Sequence, residues 1–207
     1  MAQPQNDAYY TLNGAAQAEQ NIKRSRFIGY AYPVSGAEQA MALLAEVRSK
    51  HHSATHVCWA YRLAPTGGEE QFRYSDDGEP SGTAGKPIYG RLAAADVWGV
   101  LIAVVRYFGG VKLGPSGLIE AYRSTAALAL EEAPRRQVIQ YRTFQIAFAP
   151  DLTGLVMRTV KEYGAQITQE AYTNGYQLTL CVRASHAAAL QNALQQIYGV
   201  TLPKPEP

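Results

Sequence analysis

Asp76-Asp77-Gly78-Glu79-Pro80-Ser81-Gly82-Thr83-Ala84-Gly85-Lys86-Pro87 opens as an acidic turn and runs on as a string of small residues. A second loop of the same character follows at Arg106-Tyr107-Phe108-Gly109-Gly110-Val111-Lys112-Leu113-Gly114-Pro115-Ser116-Gly117. Glycines that tolerate positive φ, set beside lysine and arginine, are how a chain offers backbone N–H groups to an anion. Between the loops, Thr83–Ala95 reads as a helix with Pro87 in its first turn, where a missing N–H costs nothing. Trp98–Tyr107 is apolar on both faces and is predicted to be a central strand. Ser116–Glu132 carries Leu118, Ala121, Tyr122, Thr125 and Leu128 on one helical side, and Pro134 ends it.

Upstream, residues 1–22 have no sustained periodicity and are expected to be a polar lead-in or an edge strand. Phe27–Tyr32 is a short strand stopped by Pro33. Ser35-Gly36-Ala37-Glu38 has capping-box spacing ahead of a helix that runs to Lys50. Thr55–Leu63, dense in β-branched and aromatic residues, is a strand. Pro65–Glu70 is a turn and Gln71–Tyr74 the returning strand. Downstream, Ile139–Ala149, Ala165–Thr173 and Tyr176–Arg183 are strands, the last two joined by the hairpin signal Asn174-Gly175. Helices are expected at Leu152–Tyr163 and from Ser185 to Tyr198, and Val200–Leu202 can close the set as a strand. The order β-α-β-β-α-β is that of the ferredoxin-like split βαβ unit. The organisation expected is therefore a lead-in (1–22), a first domain (23–135), a second domain (138–202) and a solvated tail (203–207).

At 207 residues, 47% hydrophobic and 17% charged, the chain has the composition of a globular protein with a core. Its longest apolar run, Val97–Val105, is shorter than the roughly 20 residues a membrane helix needs. The N-terminus lacks a basic-then-apolar signal pattern, so a cytoplasmic location without membrane attachment is expected. Cys58 and Cys181 do not make a disulfide framework. A net charge of +2 advertises no nucleic-acid partner by itself. Any such binding needs a local patch.

Several chemistries compete at the two loops. The Gly109–Gly117 loop, between a strand and a helix, could cradle a phosphate with Lys112 and Arg106 supplying charge. It is not a Walker loop, because the Gly-Lys pair never arrives at the required offset. Leu113–Leu118 loosely resembles the phosphate loop of galactokinase-type small-molecule kinases. Asp76, Asp77 and Glu79 could hold a divalent cation, against the simpler reading of a tight turn. His56 and Cys58 face one side of a strand and could be half a zinc site or a nucleophile–base pair, against plain packing. For nucleic acid the candidates are Lys86, Arg91, Arg106, Lys112 and Arg123, with Tyr107, Phe108 and Tyr122 as stacking partners. Basic and acidic residues balance through Arg135, so a patch exists only where the fold separates the signs.

The Asp76–Pro87 string and the Arg106–Gly114 string, with Gly117-Leu118 and Ala121-Tyr122, resemble the two signatures of the IMPACT/YigZ family. Lys23 with Ser25-Arg26-Phe27, and His56, Cys58 and Ala60-Tyr61, are similar to its other motifs, in order along nearly the whole first domain. Pro115-Ser116 departs from the family's usual small residue and glycine, which stiffens that loop. The resemblance implies an α+β protein of the bacterial two-domain type. Its first domain would be a sheet with helices on one face, similar to the second domain of small-subunit ribosomal protein five. Its second would be ferredoxin-like, similar to a C-terminal domain of elongation factor G. In eukaryotes the IMPACT branch restrains the amino-acid-starvation kinase by competing for its activator. Bacteria lack that kinase, and with about twenty lead-in residues ahead of the first domain the eukaryotic N-terminal protein-binding domain is not expected here. The expectation is a non-enzymatic, translation-associated protein without a cofactor or metal that contacts RNA, the ribosome or a translation factor. Lys86, Arg106, Tyr107, Gly109, Gly110, Lys112 and Arg123 would bind, and Asp76, Asp77, Glu79, Thr83 and His56 would shape the site. The alternative is an enzyme acting on a nucleotide or phosphorylated small molecule at the same loops. Oligomeric state is not legible.

Overall fold

Val100–Tyr107 lies at the centre of the molecule's largest sheet for the reason its composition gives: Val, Leu, Ile and Ala on both faces leave no side for water. A computed structural model describes residues 7–64 and 70–202. The expected turn at Pro65–Glu70, apart from Glu70 itself, and the tail at 203–207 lie outside the described residues. The chain divides into two compact units, Tyr9–Val138 and Ile139–Pro207 with Met1–Ala8.

In the first unit β2 (Ala16–Ile22), β3 (Ser25–Pro33), β4 (His56–Arg62), β5 (Phe72–Ser75) and β6 (Val100–Tyr107) form an antiparallel sheet in the order β2-β3-β6-β4-β5. The lead-in therefore carries β1 (Ala8–Leu12) and β2, of which β2 is a sheet edge. β1 pairs with β7 (Arg135–Ile139). On one face lie α2 (Gly85–Ala94) and α3 (Gly114–Glu132), whose Ile88, Leu92, Leu118, Ala121, Tyr122, Ala126 and Ala129 meet Phe27, Cys58, Ile102 and Val104 of the sheet. The other face is not bare. α1 (Ala37–Lys50) sets Ala40, Leu44 and Val47 against Ile28, Tyr30, Val57, Trp59, Leu101 and Val105. The expectation of helices on one face is corrected: the sheet residues at odd and even positions are both apolar, and each set has its own helical cover.

Local chemistry explains the element ends. Pro87 falls in the first turn of α2 and Pro115 in that of α3, where neither breaks a helical hydrogen bond. The capping at α1 differs in partner from its sequence spacing. Ser35 gives its backbone N–H and its hydroxyl to Gln39 Oε1, at 2.8 and 2.9 Å, and Glu38 is not used.

In the second unit β8 (Tyr141–Phe148), β9 (Gln166–Tyr172) and β10 (Tyr176–Arg183) form an antiparallel sheet in the order β8-β10-β9. The Asn174-Gly175 turn joins β9 to β10, and a single antiparallel bridge from Thr201 to Ala147 extends the sheet beyond β8. A 3₁₀ turn, Pro150–Leu152, leads into α4 (Thr153–Glu162), and α5 (Ala184–Gln195) follows β10 directly. Ser185 lies inside α5, and its hydroxyl donates to Asp7 Oδ2 at 2.6 Å. Ile146, Phe148, Val156, Leu178, Leu180, Leu190 and Leu194 make a separate core. No helix among the described residues is long and apolar enough to cross a membrane.

Candidate functional site

The two loops converge. A cavity of about 380 Å³ in the first unit is lined by Glu79 and Pro80 of one loop, Arg106, Phe108 and Lys112–Pro115 of the other, and Thr55, His56 and Leu118. Its floor is a buried ion pair. Arg106 is 5% exposed and Glu79 8%, and Arg106 Nη1 donates to Glu79 Oε1 at 2.6 Å. The fully buried Tyr122 donates its hydroxyl to the same oxygen at 2.7 Å. Arg106 Nη2 reaches Ser25 Oγ at 3.5 Å, while the guanidinium lies 5.5 Å from the ring centres of both Phe27 and Phe108. Its Nε is buried with no hydrogen-bond partner. A charge pair this dry survives because each member is hydrogen-bonded as well as paired.

The acidic turn is filled from within. Asp76 accepts the backbone N–H groups of Gly82, Ala84 and Gly85 at 2.8 to 2.9 Å. Asp76 thus occupies the anion position at the start of α2 that, on the sequence reading, the loop's glycines would offer a ligand. Asp77, in the left-handed region at φ 46°, accepts from Val57 N–H at 2.7 Å and pairs with Arg48 at 2.5 Å. Its carbonyl accepts from His56 Nδ1 at 2.8 Å, which sets that proton on Nδ1 and turns Nε2 toward Glu79 Oε2, 4.0 Å away. Thr83 donates to the Pro80 carbonyl at 2.6 Å and closes the turn. The three carboxylates face three different sets of partners, and no group of three or more His, Cys, Asp or Glu among the described residues is placed to hold a metal.

Cys58 does share a face with His56, but its thiol donates to the Asp76 carbonyl at 3.0 Å. Burial pushes the Cys58 thiol far up, with Glu79 and the two aspartates adding to it, and burial likewise pushes up the Tyr122 phenol. Both groups stay protonated.

The second loop is tied down in the same manner. Phe108 N–H donates to Thr55 Oγ1 at 3.1 Å and Gly109 N–H to Ser25 Oγ at 3.2 Å. A Cβ on Gly109 would sit 1.9 Å from the Arg24 carbonyl oxygen, so only glycine fits there. Gly110 takes φ 84°.

Of the candidate side chains singled out in the sequence, the cavity collects His56, Glu79, Arg106, Phe108 and Lys112. Tyr107 is not among them. It points to the α1 face, where its hydroxyl meets His51 Nδ1 at 2.9 Å, because successive strand residues face opposite sides. Lys86 is exposed on α2, and Arg123, exposed on α3, pairs with Glu120 at 3.3 Å. The hydrogen bonds made by Ser25, Thr55 and Tyr122 are not legible in the sequence. Their partners lie far off in sequence, and no local spacing announces them.

The description "Impact N-terminal domain" matches residues 23–130. An "IMPACT family member" of Haemophilus influenzae is 31% identical over 188 residues, 91% of each chain. YigZ of Escherichia coli is 38% identical over 138 residues, 66% of this chain and 67% of that one. A solved hypothetical protein aligns with a TM-score of 0.68 and 26% identity, covering 97% of this chain and 99% of its own. This chain belongs to the IMPACT family.

Proposed function

We propose that the chain is a non-enzymatic binding protein of translation that contacts RNA, the ribosome or a translation factor through the loops 76–87 and 106–117. The observation that carries the reading is their convergence on one cavity with an exposed lysine, Lys112, and an exposed ring, Phe108, at 47%, on its rim. The internal hydrogen bonds support it too. They hold the carboxylates, the thiol and the phenol in structural contacts and leave the rim groups for a partner. Translation is the setting that family membership suggests, and a cytoplasmic location goes with it. For the second unit a ferredoxin-like fold is proposed, supported by the strand order from the Thr201 bridge through β8, β10 and β9. For the first, the likeness to the second domain of ribosomal protein five is proposed for the sheet with α2 and α3, with α1 as an added cover.

The test uses Lys112→Glu rather than a change at Arg106, whose loss would strand a buried Glu79. Lys112→Glu should weaken ribosome co-sedimentation and RNA retention, with the deficit larger at low salt. Unchanged retention of both would refute the site. The enzymatic alternative draws support from the cavity volume and the partnerless Nε of Arg106. A clear rise in melting temperature with a mononucleotide and Mg²⁺ would favour it, since a ligand bound only by the folded state raises stability.

A further inference from the structure

We propose that the tip of the β2–β3 hairpin, Lys23 and Arg24, is a phosphate-backbone clamp that extends the cavity into a site for single-stranded nucleic acid. The inference rests on the reading of the cavity as a binding site and names its ligand class. Ile22 and Ser25 form the last ladder pair of the hairpin, so Lys23 and Arg24 alone make the turn. Both take positive φ, 45° and 67°. Two successive left-handed residues define the tight hairpin turn for which Asn-Gly is the preferred sequence. Side chains with a Cβ are strained there. This chain places its two longest cations at that strained position, against local preference.

The tip is held by the loop it adjoins. The Arg24 carbonyl and the Ser25 backbone nitrogen pack on Gly109 so closely that any Cβ at 109 would lie 1.9 Å from the Arg24 oxygen and 2.6 Å from the Ser25 nitrogen. Ser25 Oγ accepts the Gly109 N–H. Lys23 and Arg24 therefore stand beside the rim that carries Phe108 and Lys112. Their charges are left free: both side chains are exposed, and neither has an ion-pair partner among the described residues. Arg26, two residues on, is by contrast neutralised by Glu19 through bonds of 2.6 and 2.7 Å. Lys112 is likewise exposed without an ion-pair partner among the described residues.

Unpaired cations on the hairpin tip and on the adjoining loop, with an exposed aromatic ring in that loop, match a strand of phosphates with stackable bases. The cavity's chemistry separates this ligand from an acidic protein segment. Its floor carries Glu79, whose charge is met by Arg106 and whose second oxygen, Oε2, is left as an acceptor near His56 for the N–H groups of a nucleobase edge, which a carboxylate side chain does not offer. The phosphates then lie on Lys23, Arg24 and Lys112, with a base over Phe108 and its edge toward His56 and Glu79.

The geometry provides a discriminating variant. Lys23→Asn with Arg24→Gly removes two charges and installs the residues the turn prefers. The melting temperature should hold or rise, while affinity for a labelled oligouridylate should fall about tenfold or more at low salt. The slope of log K against log salt should become shallower by about 1.4, the share of two single-strand phosphates. Lys23→Gln with Arg24→Gln, which keeps the strained turn, should lose the same affinity. Full-length parent that binds no oligouridylate, or variants that bind as the parent does, would overturn the clamp. Equal binding of the parent to polyglutamate would also overturn it, in favour of an acidic protein partner. Retained ribosome co-sedimentation in that event, lost with Lys112→Glu, would leave the broader reading of the cavity standing.

Discussion

Glu79 is the residue on which the site turns, because one oxygen of its carboxylate serves both Arg106 and Tyr122 in a dry interior. Glu79→Ala leaves an uncompensated guanidinium, and urea denaturation should register a loss of about 3–5 kcal/mol. Replacing the set together, by Glu79→Leu, Arg106→Met and Tyr122→Phe, should recover most of that loss, since no buried polar group is then orphaned. A triple variant as unstable as the single one would refute the account of the pair. His51 makes a second residue-scale prediction. It bridges Tyr30 and Tyr107 at 2.7 and 2.9 Å, and burial, then Lys50 and Arg26, hold it below its ordinary value. With a folded value below the unfolded one, its contribution is full above the unfolded value near 6.5 and fades as pH falls through the folded one. The melting temperature should therefore drop between neutral and mildly acidic pH. His51→Gln should flatten that part of the profile, and an unchanged profile would count against the linkage.

At the scale of elements, the close approach of the β2–β3 hairpin to the 106–117 loop is what fixes the rim. Gly109→Ala must push the Arg24 carbonyl aside and should cost about 1–3 kcal/mol or more. Gly90→Ala, within α2 and with nothing near its new methyl, should instead stabilise by about 0.5–1 kcal/mol. Thermal melts of the pair that moved in the same direction would contradict the packing described. Periodicity and turn chemistry made most elements legible: β6 by its apolar faces, β10 by its bounds, and β9–β10 by Asn174-Gly175. The cover of α1 over the second face of the sheet was not, although Tyr30, Trp59 and Tyr61 already made that face apolar. The error came from the fold analogy rather than from the residues. Within the site, the cationic character of Arg106 was readable, but its burial was not, since Glu79 and Tyr122 reach it only through the sheet–helix packing.

For the molecule as a whole, the two units have separate cores, and the described loops converge entirely within the first, Tyr9–Val138. Net charge of +2 hides the arrangement: Arg26, Arg48 and Arg106 are each paired with a carboxylate, while Lys23, Arg24 and Lys112 are exposed without an ion-pair partner among the described residues, and Lys112 lines the cavity. The family strings marked this region in the sequence, and folding sorted its charges into structural and available ones. The most direct measurement of the central claim is crosslinking of the full chain to purified ribosomes, with the crosslinked peptides identified by mass spectrometry. The account predicts crosslinks within residues 106–117, reduced by Lys112→Glu and by added salt. Crosslinks confined to residues far from the cavity, or none above background, would contradict it.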